Sequence, residues 1–371
     1  MKTKQSNSNG IGGVRVMMAV AAVFLCACGA CGTGAGAEPA SSPPTRLVVA
    51  AWNVQTLFDG REDGTEYPDY SAASGWTEAK YRERLAAIGR AVPLFADGGP
   101  DVLALIEVEN EGVARDLAAG PLAGLGYGWY ARAGQPGASL GLAVLSRYPV
   151  IGTRAHGAVA EGEALPRPVL EVRIDAGGVP LVLLVCHWKS KLGGDAETEP
   201  QRAAAAAVVA RRLAELAGDE PGIDALVVGD LNENYDEFER RGSASITALL
   251  PDDPAAARLV RDAGLPGPFL VLSEERPPLS RALPGAVAVR SPWPDSEWPG
   301  SYVHRGAWET IDHALLPAGL FDGRGWEYAA YRVIDADILM SDARDPLPYN
   351  PRTGSGYSDH LPLAVELLRT P

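Results

Sequence analysis

Eight apolar runs of six to eight residues, spread between residues 47 and 367, constrain the fold more than any other feature of the chain. Runs this short are typical of buried strands, whereas helices need longer amphipathic segments. The predicted strands are residues 47–54, 101–108, 140–147, 169–174, 181–188, 225–231, 310–316 and 361–367. Eight buried strands are enough for two sheets.

Two segments between these runs have a helical pattern. Residues 77–95 begin at Thr77 and repeat apolar residues at helical spacing, and residues 199–216 are rich in Ala, Leu and Arg. Strands and helices therefore interleave, which predicts an α/β or α+β fold. Because no repeat of fixed period and no second linker is found, residues 46–371 are predicted to form one domain.

The first 27 residues have the pattern of an export signal, a polar start with Lys and Arg followed by an apolar run too short to span a membrane. The run ends in a sequence that resembles a bacterial lipobox, in which a cysteine receives lipid and becomes the mature N-terminus. Cys28 is the predicted lipidation site, with Cys26 and Cys31 as alternatives, and a leader removed without lipidation is a further one. We therefore expect an exported protein, periplasmic or at the cell surface, anchored to a bacterial membrane by lipid.

Residues 28–45 are mostly Gly, Ala, Ser, Pro and Thr, which predicts a flexible tether. Cys186 is the one cysteine after residue 31, so the folded part has no intrachain disulfide available and packing must stabilise it. The net charge of −14 disfavours tight duplex binding, since such proteins usually carry a basic face. A local basic cleft or a divalent cation can offset repulsion over a few phosphates.

Polar side chains interrupt the apolar runs at their carboxyl ends, where ligands commonly bind in α/β folds. They are Asn53, Glu107, His187, Asp230, Asn232 and Asp312, with Asp359 and His360 just before the last run. Carboxylate and amide oxygens suit Mg²⁺ or Mn²⁺, whereas the scarcity of Cys and the scattered His disfavour zinc. Phosphoester hydrolysis needs a hard cation, an aligned water and donors for the developing charge, and this inventory supplies each.

Six ordered motifs, Trp-Asn-Val, Ile-Glu-Val, His-Trp-Lys-Ser-Lys, Gly-Asp-Leu-Asn, Ile-Asp-His and Ser-Asp-His, resemble the endonuclease/exonuclease/phosphatase superfamily. The resemblance spans residues 47–367 and implies a four-layered sandwich of two mixed sheets flanked by helices, with metal-dependent phosphoesterase activity. Gln55 stands where abasic-site endonucleases have an acid, and His187 where they have a tyrosine. The match is therefore nearer the deoxyribonuclease-like and extracellular nuclease branches.

The resemblance also implies a role for each matched residue. Glu107 would be the principal ligand of Mg²⁺ or Mn²⁺, with Ca²⁺ as an alternative, and Asn53 and Asp359 would lie close to the metal. Asp230 would orient or deprotonate the attacking water, and Asn232 would hold that water or a phosphoryl oxygen.

The two histidines would act on the phosphate. His360, paired with Asp312, would be the imidazole tuned by a carboxylate, and His187 would donate to a phosphoryl oxygen or assist the leaving group. The general base, Asp230 or the Asp312–His360 pair, is left open.

Several further polar residues have weaker predictions. Arg84, Lys189 and Lys191 could contact substrate phosphate, with structural or solvated roles as alternatives, and Arg202 could add positive charge nearby. The residues predicted to lie in loops or behind the site are Glu109, Asn110, His156 and His304, while Cys186 and His313 should face away from it. The stretches 59–75 and 251–299 are predicted loops at the rim, and Trp293, Trp298 and Trp308 are expected to pack more readily than to stack on substrate.

The leading hypothesis is a surface or periplasmic nuclease or phosphodiesterase acting on DNA or RNA. The alternative is a phosphomonoesterase or a sphingomyelinase-like enzyme, whose substrate would contact residues 292–308. A non-catalytic surface binding lipoprotein is a third hypothesis. A monomer without a protein partner is expected.

Overall fold

The computed structural model describes residues 44–135, 137–160 and 162–370, and the structural statements that follow concern these residues. The predicted leader, the lipidation site Cys28 and residues 28–43 of the predicted tether lie outside them. No helix in the described ranges is both long enough and apolar enough to cross a membrane.

The described residues form eighteen strands and five α-helices. The strands are β1 (Arg46–Leu57), β2 (Val102–Val108), β3 (Trp129–Ala133), β4 (Gly141–Ser146), β5 (Val150–His156), β6 (Val159–Ala160), β7 (Glu163–Ala164), β8 (Val169–Asp175), β9 (Pro180–His187), β10 (Asp224–Asp230), β11 (Leu250–Pro251), β12 (Leu270–Leu272), β13 (Val287–Arg290), β14 (Tyr302–His304), β15 (Ala307–Glu309), β16 (Asp312–Pro317), β17 (Trp326–Val333) and β18 (Leu363–Arg369). The helices are α1 (Glu78–Ala91), α2 (Glu111–Ala119), α3 (Asp195–Asp219), α4 (Glu237–Arg240) and α5 (Pro254–Ala263).

Two large mixed sheets contain all eight predicted strands. The first has the order β17-β18-β1-β2-β4-β3, and the second has the order β11-β12-β13-β16-β10-β9-β8-β5. In the first sheet β1 is parallel to β2 and antiparallel to β18. In the second β10 is parallel to β9 and antiparallel to β16. The prediction of two mixed sheets is confirmed.

Alternating side chains build the core on both faces of each sheet. In β1, Leu47 and Val49 pack between the two sheets, whereas Val48 and Trp52 face α1 and α2. Strand β9 divides its side chains in the same way between the first sheet and α3, and Cys186 lies on the α3 side. The result is four layers, because every strand buried on two faces needs a partner on each.

The helix boundaries follow local signals that the apolar pattern alone does not give. Thr77 caps α1 by accepting a hydrogen bond from the backbone N–H of Lys80, as the sequence indicated. The helix ends at Ala91, shortly before Pro93, which has no backbone N–H to donate. Helix α3 starts at Asp195, four residues before the predicted start. Acidic side chains in its first turn favour the positive end of the helix dipole.

The prediction of a loop over residues 251–299 was wrong. This stretch contains α5 and the strands β12 and β13, which extend the second sheet. Asp253 caps α5 by accepting from the N–H of Ala255, Pro254 occupies the first turn, and Gly264 ends the helix in the left-handed conformation. These are ordinary helix start and stop signals in an otherwise Pro-rich segment.

Strands β3, β5 and β17, each at a sheet edge, were not predicted, because their partly polar sequences lack a buried run. His156 is therefore not a loop residue but the last residue of β5. Its Nε2 lies 2.6 Å from Glu171 Oε2, and Arg212 of α3 holds the same carboxylate with two hydrogen bonds of 2.7 and 2.9 Å. Asn110 likewise caps α2 through its side chain, and the buried Glu109 accepts from the N–H of Asp59.

Candidate active site

Residues from both sheets meet at the carboxyl ends of the central strands. Asn53 belongs to β1 and Glu107 to β2 of the first sheet, while His187 and Asp230 end β9 and β10 of the second. The amide nitrogen of Asn53 donates across the gap between the sheets to Asp230 Oδ2, at 3.0 Å. The predicted residues of four different strands therefore share one opening.

Two carboxylates and an imidazole lie around the Asn53 amide. Asn53 Nδ2 is 3.4 Å from Glu107 Oε1, and His187 Nε2 is 3.7 Å from the same oxygen and 3.6 Å from Asp230 Oδ2. The Asn53 amide oxygen accepts from the N–H of Gln55, at 3.0 Å. Asn53 thus contacts both acids through its amide nitrogen and lies beside Glu107, the residue predicted as the principal metal ligand.

The backbone beside Glu107 is held in an uncommon conformation. Gln55, Thr56 and Glu107 have φ angles of 51°, 52° and 68°, in the left-handed region that disfavours side chains. The turn is fixed by the Thr56 N–H, which donates to Glu107 Oε2 at 2.8 Å. The buried Arg84 guanidinium also donates to the carbonyl of Val54. Strain of this kind is concentrated where a side chain must be aimed.

Asp312 and His360 form a second, buried pair next to Asp230. His360 Nδ1 lies 2.7 Å from Asp312 Oδ2, which also accepts from Ser301 Oγ at 2.5 Å. Asp312 is opposite Asp230 in the β10–β16 register, so that one ligand atom from each of Asp230, Asp312 and His360 lies within 4.8 Å of the others. The indole N–H of Trp52 donates to the backbone carbonyl of His360 and fixes its position.

His187 and His360 differ in charge because their surroundings differ. Burial, together with the positive charges of Arg167 and His360, lowers the pKa of His187 well below its usual range. Burial also opposes the charged form of His360, but Asp312 outweighs it and raises the pKa of His360 well above its usual range. Burial and the neighbouring acids raise the pKa of Asp230 to about 7. A neutral imidazole and a charged one therefore flank the same carboxyl group.

Asn232 lies next to Asp230, and Asp359 lies next to His360. Asn232 donates its backbone N–H to Asp230 Oδ1 and its side-chain amide to the carbonyl of Trp188, so its contacts support the Asp230 carboxylate. Asp359 Oδ1 lies 4.0 Å from His360 Nε2 and is partly exposed. Of the three predicted metal ligands, Asn53 and Glu107 are in contact with each other, and Asp359 lies beside His360.

The predicted phosphate cations have other partners. Arg84 is 1% exposed and stacks on Tyr349, which makes it a structural residue rather than a phosphate contact. Lys191 Nζ pairs with Glu237 Oε2 at 2.6 Å, and Lys189 Nζ donates to oxygen atoms of its own loop. Arg202 is fully buried in a network behind this loop. None of the four side chains is directed at the acids by these contacts.

Arg167 is a further cation near the site that was not among the predicted residues. It lies in the segment before β8, is partly exposed, and donates to the carbonyl of Trp188, next to His187. Its charge lowers the pKa of both His187 and Lys189, which places it within electrostatic range of the site. Pro166 and Pro168 on either side stiffen this position, and that pattern was the available signal.

The donor set fits a hard divalent cation. Glu107 and Asp230 present carboxylate oxygens that share Asn53 and His187 as neighbours, so their mutual repulsion needs a nearby positive charge. Oxygen donors of this kind are what Mg²⁺ and Mn²⁺ prefer. Glu107 remains partly open to solvent, which leaves room for water ligands.

Comparison with known proteins agrees with this chemistry. A model of the Endonuclease/Exonuclease/phosphatase family matches residues 48–249, which is more than half of the chain. No curated protein matches the sequence. A crystal structure of truncated Caenorhabditis elegans TDP2 is similar in fold, with a TM-score of 0.50 and 16% identity over 87% of this chain and 97% of that one.

A second C. elegans TDP2 structure has a TM-score of 0.50 and 15% identity over 89% of this chain and 78% of that one. Identity at this level shows a shared fold alone, and the family match shows the relationship. The chain belongs to the endonuclease/exonuclease/phosphatase family and is a metal-dependent phosphoesterase.

Proposed function

We propose that the protein is a phosphodiesterase that hydrolyses nucleic acid outside the cytoplasm. The observation that carries this proposal is the position of Asp230 between the neutral His187 and the charged Asp312–His360 pair, with Glu107 on the same opening. This arrangement offers a carboxylate for a water molecule and imidazole donors for a phosphoryl group. Arg167 adds a fixed positive charge at the mouth.

Each residue of the site has a separate role in hydrolysis. Asp230 orients the attacking water and accepts its proton, because burial raises the pKa of this carboxyl group and makes it a stronger base than an ordinary aspartate. His360, held charged by Asp312, donates to a phosphoryl oxygen, and His187 contacts the phosphate or the leaving oxygen. Glu107 would hold the divalent cation, which when bound supplies positive charge to the phosphoryl oxygens.

Nucleic acid is the substrate class that the sequence favours. The His-Trp-Lys-Ser-Lys segment that begins at His187 resembles a pattern of secreted bacterial nucleases. The net charge of −14 argues against a broad phosphate-binding face, so recognition must be local.

A lipid phosphodiester is the second candidate, and one feature favours it. Leu192 is 85% exposed in the loop that follows His187, between Lys191 and a pair of glycines. An exposed apolar side chain beside basic ones is a common way to contact a lipid surface. If lipid is the substrate, Leu192→Ser should lower activity on sphingomyelin vesicles. If nucleic acid is the substrate, Leu192→Ser should leave activity on nucleic acid unchanged.

We also propose that the protein is exported and lipid-anchored through Cys28, on the basis of its leader sequence. Metabolic labelling with a radioactive fatty acid should mark the natural chain and not Cys28→Ala. Labelling that persists in Cys28→Ala and is lost in Cys26→Ala would move the anchor to the alternative cysteine.

The substrate experiment compares plasmid DNA, RNA, bis-p-nitrophenyl phosphate and sphingomyelin vesicles with Mg²⁺, Mn²⁺ or Ca²⁺. Glu107→Gln tests the site, and Glu366→Gln, which removes a surface carboxylate paired with Arg46, is the matched control. Cleavage of DNA or RNA that needs a divalent cation, survives in Glu366→Gln and disappears in Glu107→Gln is the expected result. Intact nucleic acid with cleaved sphingomyelin would overturn the substrate proposal.

A further inference from the structure

The hairpin of β14 and β15 places two aromatic rings in line with His360. The Tyr302 ring centroid lies 4.7 Å from that of His360, and an isolated bridge pairs the backbones of these two residues. His304, which the sequence pattern assigned to a loop, is the last residue of β14 and is exposed. A row of three rings therefore leads outward from the site.

The two faces of this hairpin have different surroundings. Val303 pairs with Trp308, whose ring lies 5.7 Å from that of Trp298 and packs against the core behind the first sheet. Trp293 is buried there as well, which confirms the packing role predicted for the tryptophans. Tyr302 and His304 occupy the opposite face, since side chains alternate along a strand.

The cross-strand neighbours on the ring face leave His304 uncovered. His304 pairs with the small and exposed Ala307, and Tyr302 pairs with Glu309. Glu309 lies 3.9 Å from Lys191 Nζ, so this face is adjacent to the loop that follows His187. The ring face of the hairpin thus borders the active-site opening.

The spacing of the two rings matches that of a sandwich. Their centroids are 6.5 Å apart and their planes differ by 15°. Stacked bases repeat at about 3.4 Å, so a planar ring between two others needs about 7 Å. Because His304 is at the hairpin end and exposed, a small shift of its ring would complete the space.

We propose that a nucleobase next to the scissile phosphate inserts between Tyr302 and His304. This proposal rests on the proposed nuclease function and deepens it. Base stacking contributes to single-strand binding without sequence preference and without phosphate contacts, which suits a protein of net charge −14. It also predicts a preference for single-stranded over duplex nucleic acid, in which bases are already stacked on their neighbours.

The test uses the purified protein and two matched oligonucleotides, one of adenine nucleotides and one of the same length with abasic sugars. His304→Ala is expected to raise KM for the adenine oligonucleotide by roughly 10-fold with little change in kcat. KM for the abasic oligonucleotide should not change. His304→Phe keeps a ring while removing the imidazole nitrogens, and it should restore most of the lost affinity.

A binding measurement provides a second readout that does not need turnover. In the Asp230→Asn background, 2-aminopurine fluorescence in a single-stranded oligonucleotide should fall on binding, and His304→Ala should remove that quenching. If the natural protein cleaves both oligonucleotides equally well and His304→Ala changes neither KM nor quenching, the stacking proposal is wrong and the nuclease proposal stands. If the natural protein cleaves bis-p-nitrophenyl phosphate but no nucleic acid, both proposals fail.

Discussion

The buried ion pair behind the active-site loop allows a quantitative prediction. Arg202 of α3 and Glu233, which follows Asn232, have fully buried side chains, with Nε and Oε2 2.7 Å apart. The same guanidinium bonds Glu199 and Thr198 and donates to two backbone carbonyls. Every nitrogen of the Arg202 guanidinium is therefore hydrogen-bonded within the protein and shielded from water.

Burial raises the pKa of the Glu233 carboxyl group to about 8, so at pH 9 Arg202→Met would leave a buried carboxylate without its partner. Breaking such a pair costs about 3–5 kcal/mol, a large part of the roughly 5–15 kcal/mol that stabilises a typical domain. With a urea dependence of about 3 kcal/mol per molar, the unfolding midpoint should fall by about 1–1.7 M. Urea titration followed by tryptophan fluorescence measures this shift directly.

Arg258→Met is the matched control. Arg258 and Asp262 form a pair at 3.5 Å whose side chains are 77% and 68% exposed, and such pairs contribute less than about 1 kcal/mol. Replacing both buried partners, as Arg202→Met with Glu233→Met, should recover much of the loss because no charge is left unpaired. Equal midpoints for Arg202→Met and Arg258→Met would refute the reasoning.

Three further predictions concern the site and the acid stability of the fold. Asp230→Asn should lower kcat by about 1,000-fold or more while leaving the urea midpoint unchanged or higher, because a buried charge is removed; a lower midpoint would indicate a structural role. Asp312→Asn should lower kcat by about 10³- to 10⁴-fold, because it disturbs the tautomer and charge of His360. Ser301→Ala removes the other hydrogen bond to the same Asp312 oxygen and should lower kcat by about tenfold or less. Equal losses of kcat in the two variants would contradict this assignment. Burial raises the pKa of Glu171, but the hydrogen bonds with His156 and Arg212 and the charge of Arg212 outweigh burial and hold this pKa at about 2. A contribution of up to roughly 3 kcal/mol should therefore be lost as the pH falls from about 4.5 to 2. Thermal melts in that range should show a shallower acid loss for Glu171→Gln, and an unchanged slope would exclude the linkage.

The strands that form the centre of both sheets were predictable because they are buried on two faces. A strand such as β9 is apolar at almost every position, so its run of side chains is visible without any partner. Edge strands such as β5 and β17 are half exposed, and their mixed sequences resemble loops. The helix α5 was missed for a different reason, since proline-rich composition concealed its cap.

The active site could be assembled from the sequence as a set of residues but not as a geometry. Polar residues at strand ends identified His187 and Asp230, because the parallel strands β9 and β10 bring their carboxyl ends to one edge. Whether Asn53 turns its amide oxygen or its amide nitrogen toward the acids depends on the hydrogen bond that the oxygen accepts from the Gln55 N–H. The spacing of residues in the sequence does not reveal this hydrogen bond. The pairing of the Lys191 ammonium was not predictable from the local motif, because its partner, Glu237, is 46 residues away in the sequence.

The left-handed backbone at the site has a consequence for engineering. Of the seven non-glycine residues with positive φ in the described ranges, four are Gln55, Thr56, Glu107 and Asn232. Each such conformation costs about 1–3 kcal/mol, and each of these residues also contributes a hydrogen bond or side chain to the site. Glycine at these positions would relax the chain and keep the backbone N–H groups, but it would remove the Glu107 carboxylate, the Gln55 amide that accepts from the N–H of Asp359, and the Asn232 amide that donates to Trp188. Heat tolerance and turnover are therefore in opposition there. A more durable variant must therefore be sought in the edge strands and surface loops, where changes leave the aim of the acids intact.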